Sequence, residues 1–291
     1  MSYLTKAAPV IFVLLWSTGF IGSKLGAPYI DPMAFLTVRF FAVLPILLLL
    51  ALFLTKAWPV TPMAILHCLV TGMLVHGIYL GGIFWAIKQG MPAGASSIIV
   101  GLQPVLTALI AVGLLSETIS RKHWISMVIG AVGLLLVLGP KFDISGTGIT
   151  TITVAVALVA VVAISLGTVY QKRFAVKTDL LAATIWQYVG ALLVTTPLSM
   201  FESWQIVWSG ELLFALVWLV LVLSVGAVLL LMLLIREGAV SQVASLFNLV
   251  PVATTVESYF LFNETLALVQ IAGMALIIGA VLVIRQAPKK A

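Results

Sequence analysis

Met91 to Thr118 reads MPAGASSIIVGLQPVLTALIAVGLLSET, and Ala239 to Thr265 reads AVSQVASLFNLVPVATTVESYFLFNET. Both stretches are apolar runs of helical length, with small polar residues, a proline near the middle and Glu-Thr at the end. The two prolines, Pro104 and Pro251, each precede that final glutamate by 13 residues. Two copies of one unusual helix predict that the chain is a doubled unit.

The composition indicates an integral membrane protein. Of 291 residues, 63% are hydrophobic and 8% are charged, whereas soluble domains carry about 45–50% apolar and about 25% charged residues. The long unbroken apolar runs favour helices over a transmembrane barrel, whose strands alternate in polarity. The single cysteine, Cys68, excludes an internal disulfide. The net charge of +6 is interpreted as a topology signal rather than as nucleic-acid binding.

Apolar runs separated by charged residues, proline or glycine predict ten membrane spans. A spanning helix needs about 20 mostly apolar residues. No cleavable signal peptide is expected, because the run after Lys6 is long enough to span. The predicted spans are residues 7–29, 32–54, 63–87, 92–115, 123–139, 148–171, 180–200, 212–235, 240–262 and 265–285.

Landmarks outside the two proline helices repeat at nearly the same offset. Ser17 recurs as Ser165, and Asp31 recurs as Asp179, each 148 residues later. Each copy holds five spans, an odd number, so the second copy must enter the membrane upside down. We therefore predict an all-α membrane protein of ten transmembrane helices, built from inverted five-helix repeats at residues 1–145 and 146–291. Inverted repeats indicate a secondary transporter with its substrate site between the halves.

Basic residues are distributed unequally between the two predicted sides. The termini and the even-numbered turns hold eleven lysines and arginines, and the opposite turns hold three. Because basic residues accumulate on the cytoplasmic side, both termini are predicted to be cytoplasmic. The expected location is a cytoplasmic (inner) membrane of the bacterial type.

Several short motifs resemble the drug/metabolite transporter superfamily, specifically the EamA-type exporters, over nearly the whole chain. The resemblance implies export of small metabolites, often amino acids, by alternating access of two halves. The motifs are Trp16-Ser17-Thr18-Gly19-Phe20, Arg39-Phe40, Leu114-Leu115-Ser116-Glu117-Thr118, Pro251, Leu261-Phe262-Asn263-Glu264-Thr265, Gly273 and Gly279.

The proline helices carry candidate substrate-binding and gating residues. Proline interrupts a helix by removing a hydrogen-bond donor, so Pro104 and Pro251 either shape packing only or line a cavity and serve as pivots. Gln103 and Asn248 lie near mid-depth on polar stripes and are candidates for substrate contact. Ser245 belongs to the second stripe; small hydroxyl residues in membrane helices also serve as packing surfaces.

His76 and Tyr79 share one face of the third span. An ionisable residue within a span is a functional hypothesis by default. His76 is a candidate proton carrier or substrate ligand, and the alternative is a histidine bonded to the backbone of a neighbouring helix. Both residues are predicted to contact the substrate.

Arg39 and Glu257 are the two clear charges inside predicted spans. Intramembrane charges normally pair or face a cavity. One hypothesis is a structural pair between them; the other is an outer gate, or a carboxylate that takes up a proton. Gln187 occupies the position equivalent to Arg39 in the second half and is a further candidate for substrate binding.

Aromatic residues within the spans suggest the wall of a cavity. Trp16, with Thr18 two residues later, lies in mid-span, and Trp186 lies beside Gln187. Such a wall would suit an amphipathic or aromatic solute, and an aromatic face could also hold an ammonium group.

No motif for catalysis is present. The sequence has no cluster with metal-ligand spacing, no paired nucleophile and base, and no Walker-type glycine loop. We therefore predict a carrier, not an enzyme, with no cofactor or metal and no evident obligate protein partner. Its predicted substrates are small amphipathic metabolites, with amino acids as the leading class. A multidrug or quaternary-amine exporter, a channel and an intramembrane enzyme are the alternatives, and proton coupling through His76 or Glu257 is left open beside facilitated transport.

Overall fold

The computed structural model describes residues 3–54, 61–115, 119–138, 148–175, 177–237, 243, 246–262 and 267–285. These residues form helices and connecting turns, with no strand among them. The helices are α1 (Tyr3–Gly26), α2 (Pro32–Leu54), α3 (Pro62–Gly72), α4 (Tyr79–Lys88), α5 (Ala93–Val100), α6 (Gln103–Leu115), α7 (Arg121–Leu138), α8 (Thr151–Tyr170), α9 (Leu180–Ser199), α10 (Gly210–Trp218), α11 (Val228–Glu237), α12 (Val250–Phe262) and α13 (Leu268–Arg285).

Three segments are wound as π-helix and continue neighbouring α-helices. We call them π1 (Met73–Ile78), between α3 and α4, π2 (Gln171–Ala175), after α8, and π3 (Leu219–Ala227), between α10 and α11. A short 3₁₀ turn, Phe247–Leu249, precedes α12. π-Helical turns are rare and often occur at functional sites.

Six helices within the described ranges are long and apolar enough to cross a membrane. They are Ala7–Gly26, Pro32–Phe53, Pro62–Lys88, Thr151–Ala175, Leu180–Ser199 and Gly210–Arg236. Shorter apolar helices lie in three of the four other predicted spans, namely Gln103–Leu115, Trp124–Gly133 and Leu268–Ala280. The prediction of an all-α membrane protein is confirmed, and the count of ten spans stays a prediction.

Local sequence explains where the helices begin. Thr61 accepts a hydrogen bond from the backbone of Ala64 and precedes Pro62, a favourable first helical residue. Asp179 accepts from the backbone N–H groups of Leu181 and Ala182 at the start of α9. These caps satisfy N–H groups that have no partner within the helix.

The central prolines start helices instead of bending them. α5 ends at Val100, and α6 begins at Gln103 with Pro104 as its second residue. α12 likewise begins at Val250, directly before Pro251. The α-helix is therefore interrupted before each proline, because proline is tolerated in the first turn of a helix but not in its interior.

Helices of the two predicted halves interlock in a reciprocal pattern. α1 packs against α12, and α8, its counterpart in the second half, packs against α6. α2 packs against π3 and α9, while α9 packs against π1, α3 and α2. α7 and α13, the last helices of the two halves, pack against each other. Exchange of the halves leaves these pairings unchanged except for that of α3 with α9, whose counterpart, α10 with α2, is not closely packed.

Equivalent turns of the two predicted halves also form equivalent hydrogen bonds. Lys88 Nζ donates to the carbonyl oxygen of Ile30 at 3.4 Å, in the turn after α1. Arg236, 148 residues after Lys88, donates to the carbonyl oxygen of Thr178, which lies 148 residues after Ile30. The similarity of the halves therefore extends to individual hydrogen bonds.

Candidate functional site

A cavity lies between α1, α2, the helices around π1 and those around π3. The space that the centres of water-sized molecules can occupy in it is about 30 Å³, and all the space between its lining atoms, open mouth included, is about 430 Å³. Four of the predicted site residues line it, namely Trp16, Arg39, His76 and Tyr79. The other described lining residues are Gly19, Phe20, Leu80, Ile83, Phe84, Leu223 and Val228.

Among the described lining residues, Arg39 is the one with a full charge. Its side chain is 3% exposed, and its Nε donates to Ser224 Oγ of π3 at 2.8 Å. Among the described residues, no hydrogen bond from its two terminal nitrogens and no ion pair to a carboxylate is formed. Glu257 instead accepts a hydrogen bond from Ser17 Oγ at 2.6 Å. The structural Arg39–Glu257 pair left open by the sequence is therefore not formed in this structure.

His76 lies on π1 and is 1% exposed. Its ring contacts those of Tyr188 and Phe40, with centroids 4.9 and 6.3 Å away. Its Nε2 has no hydrogen-bond partner in the described part of the chain. Aromatic packing and the adjacent Gln187 side chain therefore hold the imidazole, and Nε2 is left available to a ligand.

The surroundings of Arg39 and His76 are related by the repeat offset. Ser224 on π3 lies 148 residues after His76 on π1, and Gln187 lies 148 residues after Arg39. Arg39 bonds to Ser224, and Gln187 lies beside His76. The two halves thus contribute matching pairs, and the cation of one pair is replaced by an amide in the other.

Close packing of α3 against α9 brings these pairs together. A Cβ atom on Gly72 would lie 1.8 Å from the carbonyl oxygen of Gln187, and one on Gly190 would lie 2.2 Å from that of Leu69. Neither position has room for any residue except glycine. The crossing places His76 against Tyr188, whose hydroxyl donates to the carbonyl oxygen of Ser224 at 2.7 Å.

Other predicted substrate-binding residues lie outside the cavity lining. Thr18 Oγ1 accepts a hydrogen bond from Trp218 Nε1 at 2.9 Å, which joins α1 to α10. Trp186 is half-buried, and Asn248 is 5% exposed, with its amide beside Gly130 of α7. Ser245 lies outside the described residues. The structure therefore brings together only part of the predicted set.

Gln103 and the gating candidates occupy the helix interruptions and the α1–α12 contact. Gln103 is fully buried, and within the described residues neither atom of its amide has a partner. Pro104 and Pro251 are buried at the starts of α6 and α12. Glu257 Oε2 is likewise buried with no partner among the described residues. Unpaired buried polar groups of this kind call for an explanation.

Sequence reasoning missed Ser224, Phe40 and Tyr188 as parts of the site. Each is unremarkable alone, since serine and aromatic residues are common in membrane helices. The repeat offset was the available signal, because it relates Ser224 to His76 and Tyr188 to Phe40.

A polar cluster joins the two halves at the predicted outer face. Asp31 Oδ2 accepts from Ser203 Oγ at 2.6 Å, and Asp31 Oδ1 lies 3.6 Å from Lys88 Nζ. The Ser203 hydroxyl, followed by its backbone N–H and by Lys88, lowers the pKa of Asp31. Glu202 accepts from the backbone N–H groups of Met33 and Ala34 at 2.9 and 2.7 Å. Burial raises the pKa of Glu202 despite these bonds.

Comparisons with known proteins agree on one type of membrane protein. The sequence model of the EamA-like transporter family matches residues 7–139 and 151–286. The Bacillus subtilis (strain 168) protein named uncharacterized transporter YvbV is 27% identical over 290 residues, covering 95% of this chain and 90% of the relative. A probable amino-acid metabolite efflux pump of Salmonella typhimurium is 23% identical over 281 residues, covering 93% and 91%.

Two further similarities concern a transporter of another solute and a solved structure. An S-adenosylmethionine uptake transporter of Rickettsia prowazekii is 25% identical over 202 residues, covering 68% of this chain and 65% of the relative. One crystal structure superimposes with a TM-score of 0.76 at 20% identity, covering 96% of this chain and 95% of that one. At that identity the superposition supports the fold alone.

Proposed function

The chain belongs to the EamA-like transporter family, and on that basis we propose that it exports small amphipathic metabolites, with amino acids as the leading class. The observation that carries this proposal is the cavity between the predicted halves, in which aromatic walls surround a few polar groups. Ligand sites typically combine an apolar lining with a small number of placed polar groups. The resemblance to a probable amino-acid metabolite efflux pump favours amino acids and the outward direction.

The proposed mechanism is alternating access of two inverted halves, 1–145 and 146–291, in a bacterial cytoplasmic membrane with both termini inside. The reciprocal packing of α1 with α12 and of α8 with α6 supports this division. Outward opening requires the polar cluster around Asp31 and Glu202 to separate, because it joins the two halves at the predicted outer face. Pro104 and Pro251 serve as pivots, since the helices are interrupted there.

Two substrate-binding roles extend beyond the cavity in this structure. The buried amide of Gln103 has no partner among the described residues, and Asn248 lies next to the second interruption, so both are proposed to contact substrate in another conformation of the cycle. Arg39 and Glu257 are proposed to act in gating or coupling. Proton exchange through His76 or Glu257 and facilitated transport are both compatible with the contacts described.

A multidrug or quaternary-amine exporter is the second candidate. Aromatic side chains such as Trp16 and Tyr79 in the lining favour it, because aromatic faces attract cations. The buried guanidinium of Arg39 in the same lining disfavours it, since two cations in a site of low dielectric repel each other.

Counterflow in liposomes tests the carrier proposal. Purified protein is reconstituted, the vesicles are loaded with unlabelled amino acid, and entry of the labelled amino acid is followed at increasing external concentration. A carrier gives saturable, transient accumulation, whereas a channel gives an ohmic current under voltage clamp. A panel of amino acids and quaternary amines separates the two substrate classes, and absence of counterflow for every solute would overturn the proposal.

A further inference from the structure

We infer that the cavity recognises its substrate through a carboxylate bound by Arg39 and His76, and that the substrate's amino group is dispensable. The inferred class is a carboxylate with an apolar or aromatic body, with or without an ammonium group. This inference rests on the proposed carrier function and narrows its substrate class.

The position of Arg39 inside a membrane-spanning helix calls for a counter-charge. Its side chain is 3% exposed within a helix that is long and apolar enough to span the membrane. A buried cation without a counter-charge is costly, and intramembrane arginines normally pair with an acid or face a cavity. No acidic side chain pairs with Arg39 in the described ranges, whereas the cavity lies directly against it. An anionic substrate supplies the missing counter-charge.

The orientation of the Arg39 guanidinium favours a carboxylate ligand. Ser224 Oγ occupies its Nε at 2.8 Å, and that bond holds the group against π3. The two terminal nitrogens form no hydrogen bond with the described residues. A pair of parallel N–H donors is the geometry that binds both oxygens of a carboxylate.

His76 provides a second polar group on the same cavity. His76 lines the cavity, is 1% exposed and has no partner for Nε2 among the described residues. When Nε2 carries a proton, either in that neutral tautomer or in the imidazolium, the imidazole donates from it to an oxygen of the ligand. Two unpaired donor groups, on Arg39 and on His76, therefore face one cavity.

The amino group of an amino acid finds no counter-charge in the described lining. The described lining contains no carboxylate that could pair with an ammonium group. Glu257, the acid inside a neighbouring span, is not part of that lining, and its Oε1 accepts from Ser17. The walls offer the rings of Trp16, Phe20 and Phe84 to the body of the ligand. The site therefore binds the carboxylate and the apolar body of a ligand, and not its amino group.

Ligands that share one body and differ in charged groups test the inference. Binding to the purified protein is measured by calorimetry for phenylalanine, for hydrocinnamate, which lacks the amino group, and for phenethylamine, which lacks the carboxylate. Leucine, isocaproate and isoamylamine form the matching aliphatic series. We expect the carboxylates to bind with or without the amino group, and each amine to bind about 10- to 100-fold more weakly, as the loss of a charge-assisted hydrogen bond predicts.

Variants locate the effect at Arg39. Arg39→Met should weaken carboxylate binding about 10- to 100-fold and leave the amines unaffected. Arg39→Lys retains the charge but not the paired donors and should fall between. Arg173→Met is the matched control, because Arg173 is an exposed arginine that contacts the carbonyl oxygen of Leu114 outside the cavity. If Arg39→Met does not fold, the wild-type ligand series and Arg39→Lys decide the matter.

The outcomes separate this inference from the carrier proposal. Amines that bind as tightly as carboxylates, carboxylates that fail to bind, or unchanged affinity in a folded Arg39→Met protein would each overturn the carboxylate site. Saturable counterflow together with any of these results would leave the carrier proposal intact. Carboxylate binding that depends on Arg39, without counterflow of any solute, would retain the site and remove the carrier.

Discussion

The rings of Phe40 and Tyr188 stack on each other, with centroids 5.1 Å apart and an interplanar angle of 24°. The two residues are equivalent positions of the predicted halves, 148 residues apart. A contact between equivalent positions lies on the axis that relates two copies, so the predicted inverted repeat places its pseudo-twofold axis at this pair. Arg39 with Ser224 and Gln187 with His76 are the two pairs that the repeat relates to each other. A symmetric scaffold therefore carries an asymmetric charge.

Opposite orientation of the halves predicts opposite accessibility for two exposed turns. In a Cys68→Ser background, Gln89→Cys lies in the turn after α4, and Lys177→Cys lies in the turn before α9. A membrane-impermeant maleimide should label Gln89→Cys in intact cells and Lys177→Cys only after permeabilisation. Labelling of both positions from the same side would contradict the inverted repeat, and the Cys68→Ser protein without either cysteine provides the background.

The bond between Ser17 and Glu257 predicts separate effects on coupling and stability. Ser17 Oγ donates to Glu257 Oε1 at 2.6 Å and joins α1 to α12. Glu257→Gln keeps the shape of the side chain but cannot exchange a proton. We expect Glu257→Gln to retain counterflow and to lose accumulation driven by a pH gradient. Ser17→Ala leaves the carboxylate without a donor and should lower stability by roughly 1–3 kcal/mol.

Measurement of counterflow and of pH-driven accumulation in the same vesicles decides whether Glu257 carries the proton. If Glu257→Gln accumulates solute along a pH gradient as well as the wild type does, Glu257 is not the proton carrier. His76→Gln, measured in parallel, then tests the other candidate.

The polar cluster at the predicted outer face predicts a pH-dependent stability. The lowered pKa of Asp31 means that its ionised form stabilises the folded protein above the unfolded pKa of about 4. That contribution is lost as the pH falls through the folded pKa. The difference in Tm between wild type and Asp31→Asn should therefore be largest near neutral pH and should shrink below about pH 4.

Glu202→Gln is the matched control for this experiment, because the sign is reversed. Burial raises the pKa of Glu202, so its contribution is present when it is protonated and is lost as the pH rises through the folded pKa. The Tm of the wild type relative to that of Glu202→Gln should therefore fall as the pH rises. Parallel pH profiles for the two variants would contradict the assigned charge states.

The helices were predictable because hydropathy and helix-start signals are local. Asp31-Pro32 and Asp179 mark the beginnings of α2 and α9 within the predicted residues. The contacts of the site were not predictable, because they join residues far apart in sequence. The bond from Arg39 to Ser224 spans 185 positions, and that from Ser17 to Glu257 spans 240. A charge in a span indicates that a partner is needed, but it does not identify the hydroxyl that provides it.

Gln103 predicts a variant in which stability and transport change in opposite directions. Its amide is buried and has no partner in the described residues, and burial of such a group costs roughly 1–3 kcal/mol. Gln103→Leu should therefore keep or raise the Tm while it reduces counterflow, if the amide contacts substrate during the cycle. Ser126→Ala removes another buried group, a hydroxyl on α7 without a partner in the described part of the chain, and should leave counterflow unchanged. Equal counterflow in wild type and Gln103→Leu would remove Gln103 from the site.

The contact between α7 and α13 predicts that two equivalent glycines respond differently to the same substitution. A Cβ atom on Gly133 would lie 2.7 Å from the carbonyl oxygen of Gly273 and 2.9 Å from Ile277 Cγ1, so the two helices would have to separate. Overpacking of this kind costs roughly 1–3 kcal/mol, and Gly133→Ala should lower the Tm of the purified protein. Gly279 lies 146 residues after Gly133, close to the repeat offset, and within the described residues no atom lies within 4 Å of a Cβ placed there. Gly279→Ala should leave the Tm unchanged or slightly raised, because alanine is the better helix former. Equal losses in both variants would show that the repeat, and not this local approach of backbones, sets the requirement for glycine.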